Sequence, residues 1–190
     1  MLALAVAARR PQARIVCVEA DPAVAALLRR HVADNERTNV TVVEGLVGAA
    51  ANMDVPFFRA PIQKFGMGSI GPQFDAEPMI LKQRTLDDVL DERGIDDIDV
   101  AKLDIEGAEL GALQGLKRRL TGAKPPAIVF EFNDWAESRI AGQSAGDAQA
   151  FLLSTGYRLF RVARGGATGA AVECPLTAGS AMILALPPAA

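Results

Sequence analysis

The fold of this chain is decided by a stretch near its start, Arg14-Ile-Val-Cys-Val-Glu-Ala20, which is followed directly by Asp21-Pro22. The first part is rich in β-branched residues and predicts a buried strand, while Asp21-Pro22 supplies a helix N-cap and a proline at the first helical position. Helical spacing of apolar residues continues over residues 23–35, and Val40-Thr-Val-Val43 predicts a second strand. This is one βαβ unit, so we expect two parallel strands with the helix on one face of the sheet.

The same alternation returns after residue 84. A capping-box pattern, Thr85-Leu-Asp-Asp88, predicts a short helix that ends at Gly94. A helix is then predicted over residues 107–120, with leucines on its inner face. The further predicted strands are residues 100–105, 127–132, 157–162 and 181–186, the last two separated only by a Gly-rich loop. We therefore predict a doubly wound α/β sheet in one domain, residues 1–190, closed by an antiparallel pair of strands.

An irregular insertion, about residues 48–84, interrupts this rhythm with four prolines and several glycines. It contains Gly66-Met-Gly-Ser-Ile-Gly71, which matches the dinucleotide-binding pattern G-x-G-x-x-G. That pattern holds a pyrophosphate only between a strand and a helix, and Pro72 and Pro78 argue against a helix here. A nicotinamide-dependent oxidoreductase is therefore disfavoured.

Composition excludes several classes of function. The chain has 20 Lys and Arg against 23 Asp and Glu, so a basic track for nucleic acid is not expected. Cys17 and Cys174 are far apart and His31 is the single histidine, which gives no Cys/His metal motif. The apolar start is too short to span a membrane, and no basic residues precede it as in a secretion signal. We expect a cytoplasmic protein with a small-molecule partner, and homo-oligomerisation is left open.

Acidic side chains mark the ends of the predicted strands. Ligands of open α/β sheets bind at the carboxyl ends of the strands, so these side chains are the candidate site. They are Glu19, Glu44, Asp104 with Glu106, and Glu131 with Asn133 and Asp134. A carboxylate at a strand end can accept both hydroxyls of a ribose, which makes Glu19 a nucleoside-binding candidate. Asp104, Glu131 and Asn133 also have the oxygen ligands of a divalent cation, although the sequence shows no established metal motif.

Five segments resemble, in order, the FkbM-like methyltransferases. They are Val18-Glu-Ala-Asp-Pro22, Thr85-Leu-Asp-Asp88, Ala101-Lys-Leu-Asp-Ile-Glu-Gly-Ala-Glu109, Val129-Phe-Glu131 and Gly156-Tyr-Arg-Leu-Phe160. The resemblance covers nearly the whole chain and is most specific in the third segment. It implies a class I fold that uses S-adenosylmethionine and closes with a C-terminal antiparallel hairpin.

The resemblance also implies roles for individual residues. Glu19, with Ala20 beside it, matches the ribose-binding acid, and Asp104 matches the position closest to the reacting methyl group. Ser69-Ile70 resembles a segment near the acceptor site. The implied cofactor-binding residues are Glu19, Ala20, Glu44, Gly45, Leu46 and Asp104, and Glu44 to Leu46 correspond to the edge of the adenine pocket.

The chain departs from the family pattern at its start. In the family, a strand and a G-x-N-x-G loop come before the helix that corresponds to residues 2–9 here, and that strand lies between those of Val16 and Leu103. Three explanations are open: a start site placed late or a fragment, a shortened relative that binds or scaffolds without catalysis, and a partner chain that supplies the strand. Without the strand, two buried strands would leave their backbone groups unsatisfied.

The expected reaction is methyl transfer to a hydroxyl oxygen of a small molecule or sugar. Such a displacement depends on holding the acceptor at attack distance, and an aliphatic hydroxyl also needs a general base. Asp104 is the first candidate, with Glu106, Glu131 and Asp134 as alternatives. For Glu109 we expect only a favourable charge at the start of the following helix.

Overall fold

The computed structural model describes residues 2–74 and 77–188 and has a mixed α/β architecture. The helices are α1 (Leu2–Arg9), α2 (Pro22–Asp34), α3 (Leu86–Asp91), α4 (Glu109–Gln114), α5 (Lys117–Leu120), α6 (Asp134–Glu137) and α7 (Asp147–Ser154), with short 3-10 turns at Ile62–Lys64 and Arg164–Gly166. The strands are β1 (Ile15–Glu19), β2 (Val40–Glu44), β3 (Leu46–Val47), β4 (Asp54–Phe57), β5 (Met79–Arg84), β6 (Val100–Leu103), β7 (Ala127–Asn133), β8 (Arg158–Val162), β9 (Thr168–Val172) and β10 (Ser180–Leu186). The predicted domain and insertion also include positions 1, 75, 76, 189 and 190, which lie outside the described residues.

The βαβ unit predicted at the start is confirmed. β1 and β2 are parallel, in a register that runs from Ile15 opposite Val40 to Glu19 opposite Glu44. Asp21 starts α2 as predicted, because its Oδ1 accepts the backbone N–H of Ala23 at 2.8 Å. The sequence of this unit therefore encodes both its strands and the point at which the helix begins.

A second sheet contains the main core. Its strand order is β6-β7-β10-β8-β9, with β6 and β7 parallel and the remaining neighbours antiparallel. The inward side chains of β7, which include Ile128, Phe130 and Phe132, are fully buried. β10 and β8 form the predicted closing antiparallel pair. The mixed α/β class predicted from the sequence is confirmed by this architecture.

The Gly-rich loop predicted between the last two strands contains a further strand, which corrects that prediction. β9 pairs with β8 and buries Val172 against the core. A Cβ atom at Gly169 would lie 2.7 Å from the carbonyl oxygen of Arg161, so this glycine permits a close approach of the two strands. Glycine and alanine are poor strand formers, which is why the sequence pattern favoured a loop.

The helix predicted over residues 107–120 is wrong in two respects. It begins only at Glu109, because Gly107 has a φ of 97°, and it breaks into α4 and α5. At the break, the carbonyl of Gly115 accepts the N–H of Asp87 at 2.9 Å. A Cβ atom at Gly115 would lie 2.2 Å from the carbonyl oxygen of Gly48, so the tight packing of this turn requires glycine.

The insertion is partly regular. β5 pairs in parallel with β3 and antiparallel with β4, which forms a three-stranded sheet in the order β3-β5-β4. Beyond β4, the backbone of Phe58 exchanges two hydrogen bonds with Ser69, at 2.8 and 3.0 Å. We call residues 58–73 the strap, because their side chains reach two separate parts of the molecule.

β1 and β6 each pair on one side only within the part of the chain that the structure describes. β1 is hydrogen-bonded to β2, β6 is hydrogen-bonded to β7, and the two sheets share no strand. All five residues of β1 are only half-buried although its sequence is apolar, and Val100 at the start of β6 is 60% exposed. Central strands of parallel sheets are normally buried on both faces.

Candidate functional site

The carboxyl end of β1 carries the predicted ribose-binding acid. Oε1 of Glu19 accepts the backbone N–H of Asp21 at 2.9 Å. Burial raises the pKa of Glu19 above its usual value, against the opposing effect of this hydrogen bond. Ala20 forms the half-buried bend between Glu19 and the cap of α2. The acid is therefore held beside the N-terminus of a helix.

The next predicted segment meets Glu19 at the neighbouring strand end. The N–H of Gly45 donates to the carbonyl of Glu19 at 2.9 Å, and Leu46 is buried at 6% exposure. Glu44 lies opposite Glu19 in register and forms an ion pair with Arg29 at 3.0 Å. The predicted cofactor residues of β1 and β2 thus form one continuous group.

The three predicted catalytic acids lie near one another. Asp104 follows β6 and forms an ion pair with Lys102, and Glu131 lies near the end of the neighbouring strand β7. Burial raises the pKa of Glu106, and the negative charges of Glu131 and Asp104 raise it further. Glu106 also has a φ of 55°, an uncommon conformation for a residue other than glycine. The turn of residues 104–107 therefore holds a strained backbone inside a cluster of carboxyl groups.

The strap holds this turn in place. The carbonyl of Glu106 accepts two hydrogen bonds, one from Oγ of Ser69 at 2.9 Å and one from Nε2 of Gln73 at 2.8 Å. Ser69 is 1% exposed, so its hydroxyl is a structural contact of the turn. The Ser69-Ile70 segment was predicted to lie near the acceptor site, and its serine contacts the turn between the candidate acids. Gln73 had no signal in the sequence.

The opposite side of the strap binds the end of β1. Arg59 donates to both carboxylate oxygens of Asp21, from Nε at 2.7 Å and from Nη2 at 3.0 Å. Burial alone would raise the pKa of Asp21, but the hydrogen bonds from Arg59 and from the Ala23 N–H lower it below its usual value. Arg59 was missed in the sequence because its partner is 38 residues away.

Asn133 at the end of β7 and Asp134 at the start of α6 both accept hydrogen bonds from backbone N–H groups. Oδ1 of Asn133 accepts the N–H of Ala136 at 3.3 Å, and Oδ2 of Asp134 accepts the N–H of Gly179 at 2.8 Å. The alternative roles of Asn133 as a cation ligand and of Asp134 as the base stay predictions. Trp135 is 48% exposed, and the guanidinium of Arg139 lies 4.2 Å from the centre of its ring.

No group of three or more His, Cys, Asp or Glu side chains within residues 2–74 and 77–188 could hold a metal ion. Of the helices that the structure describes, none is both long and apolar enough to cross a membrane.

The protein is therefore an α/β protein with acidic side chains at the strand ends of two sheets. The strap connects these two groups through Arg59 and Ser69. Comparison with protein-family models identifies the methyltransferase FkbM domain over residues 2–159. The chain therefore belongs to the FkbM methyltransferase family, as its motifs predicted. Searches of curated proteins and of solved structures returned no significant match.

Proposed function

We propose that this protein is an S-adenosylmethionine-dependent methyltransferase that acts on a hydroxyl oxygen of a small molecule or sugar, within a single domain. The observation that carries the proposal is the joining of two acidic strand ends by one strap, through Asp21 beside Glu19 and through Glu106 beside Asp104. Membership of the FkbM family supports the methyltransferase class. In this proposal, one strand end binds the cofactor and the other carries the reacting groups.

The residues at the ends of β1 and β2 fit the nucleoside part of this cofactor. The Glu19 carboxylate would accept the ribose hydroxyls, with Ala20 in the bend beside it. The Gly45 N–H fixes the adjacent segment on the Glu19 carbonyl. Leu46 and the Glu44 backbone would border the adenine. When bound, S-adenosylmethionine supplies an electrophilic methyl group.

Asp104 is our proposed general base. Its carboxylate is half exposed, so it can contact an acceptor hydroxyl and take up its proton. Glu106 is the alternative base, because burial and its acidic neighbours raise its pKa toward the range in which a base works best at neutral pH. The negative charge of Glu131 contributes to the raised pKa of Glu106. The three acids hold the acceptor and remove its proton.

We infer that a further strand completes a doubly wound sheet by pairing with β1 on one side and β6 on the other. The half-buried apolar residues of β1 and the exposure of Val100 support this inference. The strand would carry the glycine-rich loop of the family and come from outside residues 2–188, either from the same protein or from a partner chain. If neither source exists, a binding or scaffold protein becomes the better interpretation.

To test this function, the protein is purified at its native length from the cells that naturally produce it. Incubation with methyl-labelled S-adenosylmethionine and a small-molecule extract of the same cells should transfer label to a low-mass product. The Asp104→Asn variant should transfer the label at least about a hundredfold more slowly. If native-length protein binds S-adenosylmethionine but labels no product in any extract fraction, the catalytic proposal is wrong.

A further inference from the structure

Two buried carboxyl groups lie next to the turn of residues 104–107. Glu109 of α4 is 1% exposed and Glu137 of α6 is 2% exposed. Oε1 of Glu109 accepts the N–H of Ile105 at 3.0 Å, and Oε2 of Glu137 accepts the N–H of Gly146 at 2.7 Å. The other oxygens, Oε2 of Glu109 and Oε1 of Glu137, are buried and have no hydrogen-bond partner among the described residues. Partnerless buried polar atoms are costly and require an explanation.

The two carboxyl groups are carried by segments whose backbones pack on each other. A Cβ atom at Gly107 would lie 2.5 Å from the carbonyl oxygen of Ala136 and 2.9 Å from the nitrogen of Glu137, so the turn before α4 packs directly on the backbone of α6. The charge of Glu137 also acts on Glu109. Burial raises the pKa of Glu109 to about 7, and the negative charge of Glu137 contributes to this increase.

The surroundings of the pair are acidic. Burial raises the pKa of Glu137 to about 7, and the charges of Asp147 on α7 and Asp134 on α6 raise it further. The groups that lower these pKa values are backbone N–H donors, from Ile105, Glu109 and Gly107 for Glu109 and from Gly146 for Glu137. Two ionised carboxylates buried together in this setting would repel each other.

We propose that Glu109 and Glu137 share one proton between their two partnerless oxygens, and that this hydrogen bond fixes the turn that carries Asp104 and Glu106. A protonated carboxyl donates one hydrogen bond and a carboxylate accepts it, so a single proton satisfies both oxygens. Glu109 then holds the Ile105 N–H from a fixed position. Both residues are positioning residues, and this role rests on the proposed function, whereas the shared proton does not.

The shared proton predicts how stability depends on pH. In the folded protein the pair has a raised affinity for a proton, while in the unfolded chain each Glu titrates near 4.5. The contribution of the protonated pair to the free energy of unfolding is therefore complete below about pH 4.5 and is lost as the pH rises through about 7. We expect the Tm of the unaltered protein to fall by about 5 °C between about pH 5.5 and 8.5.

The variants Glu109→Gln and Glu137→Gln test this origin. An amide donates a hydrogen bond to the remaining carboxylate at every pH, so each variant should lose at least half of the pH-dependent fall in Tm. Glu173→Gln, at an exposed position, is the matched control and should keep it. An unchanged pH dependence in both buried variants would overturn the shared proton.

A measurement on the unaltered protein covers the case in which the variants do not fold. With 13C-labelled glutamate, the side-chain carboxyl resonances of Glu109 and Glu137 should titrate together around neutral pH, and two ionised carboxyl groups at about pH 5.5 would contradict the proposal. In a folded Glu109→Gln protein the titration of Glu106 should also shift. If it does not, the positioning role is wrong. No cofactor is needed, so failure of the proposed function leaves these results interpretable.

Discussion

At the scale of single residues, the candidate site depends on how each carboxyl group is solvated. Glu19 and Glu106 are partly buried with raised pKa values, whereas Asp21 is held ionised by Arg59 and backbone N–H groups. Carboxyl groups a few residues apart in sequence therefore carry different proton affinities, and roles follow from those affinities. The sequence motifs identified these acids. Contacts with residues distant in the sequence, such as Arg59 with Asp21, make their pKa values differ.

Replacing Glu19 with Gln tests the cofactor role. The amide has the same shape but loses the charge that accepts ribose hydroxyls, so we expect S-adenosylmethionine to bind about tenfold more weakly with the fold retained. Calorimetric titration measures the affinity, and circular dichroism checks the fold. Glu173→Gln is the control with expected unchanged affinity. Equal affinity in Glu19→Gln and the native protein would remove Glu19 from the site.

Replacing Asp104 with Asn tests the base. A positioned general base contributes roughly a hundredfold or more to rate, so turnover should fall by at least about that factor while the Tm stays within a few degrees. Label transfer from S-adenosylmethionine measures the turnover. Glu106→Gln made in parallel separates the two candidates, because a larger loss in that variant would assign the base to Glu106.

At the scale of elements, the strap joins two sheets that share no strand in the described residues. Arg59→Ala should cost about 1 kcal/mol of unfolding free energy, since the arginine side chain is 49% exposed and its ion pair is partly screened. Asp21→Ala should cost about 1 kcal/mol more, because it also removes the N-cap of α2. Denaturant unfolding measures both. Arg30→Ala, in an exposed pair with Asp34, is the control, and equal effects in all three variants would contradict the bridging role.

The break between α4 and α5 gives a second prediction at this scale. Gly115→Ala places a Cβ atom 2.2 Å from the carbonyl oxygen of Gly48 and should destabilise the protein by about 2 kcal/mol. Gly111→Ala is the matched control, because Gly111 lies within α4 and the nearest atoms to a Cβ atom there would be 3.6 Å away. Alanine at this position should be neutral or stabilising. Denaturant unfolding measures the change in unfolding free energy. This change should be opposite in sign for the two variants, or clearly larger for Gly115→Ala.

Local signals also explain which elements were predictable. Asp21-Pro22 and Thr85 act within a few residues of themselves, and the structure confirms both helix starts. The break at Gly115 and the strand β9 depend on backbone groups far away in the sequence, so the leucine spacing and the Gly-rich loop pointed elsewhere. Similarly, the acids of the candidate site were visible in motifs. Arg59, Gln73 and the Glu109 and Glu137 contact were not, because tertiary packing alone creates them.

At the scale of the whole molecule, β1 and β6 lie in two separate sheets although the chain belongs to one methyltransferase family. The family model covers residues 2–159, and the candidate acids fall at strand ends on both sides of the separation between β1 and β6. The proposed additional strand would make one sheet of the two and bring a glycine-rich loop to the same edge. Intact-mass measurement of the protein from its own cells tests this part, since a mass several kilodaltons above 20.0 kDa is expected if the strand belongs to the same chain.

We propose that the ends of β1 and β6 together form an S-adenosylmethionine site. The most direct test is calorimetric titration of the native-length protein, purified with any partner chain, with S-adenosylmethionine and separately with NAD. We expect saturable binding of S-adenosylmethionine, weaker binding in Glu19→Gln, and no binding of NAD. The proposal is wrong if the protein does not bind S-adenosylmethionine although its intact mass, or a partner chain purified with it, shows that the additional strand is present.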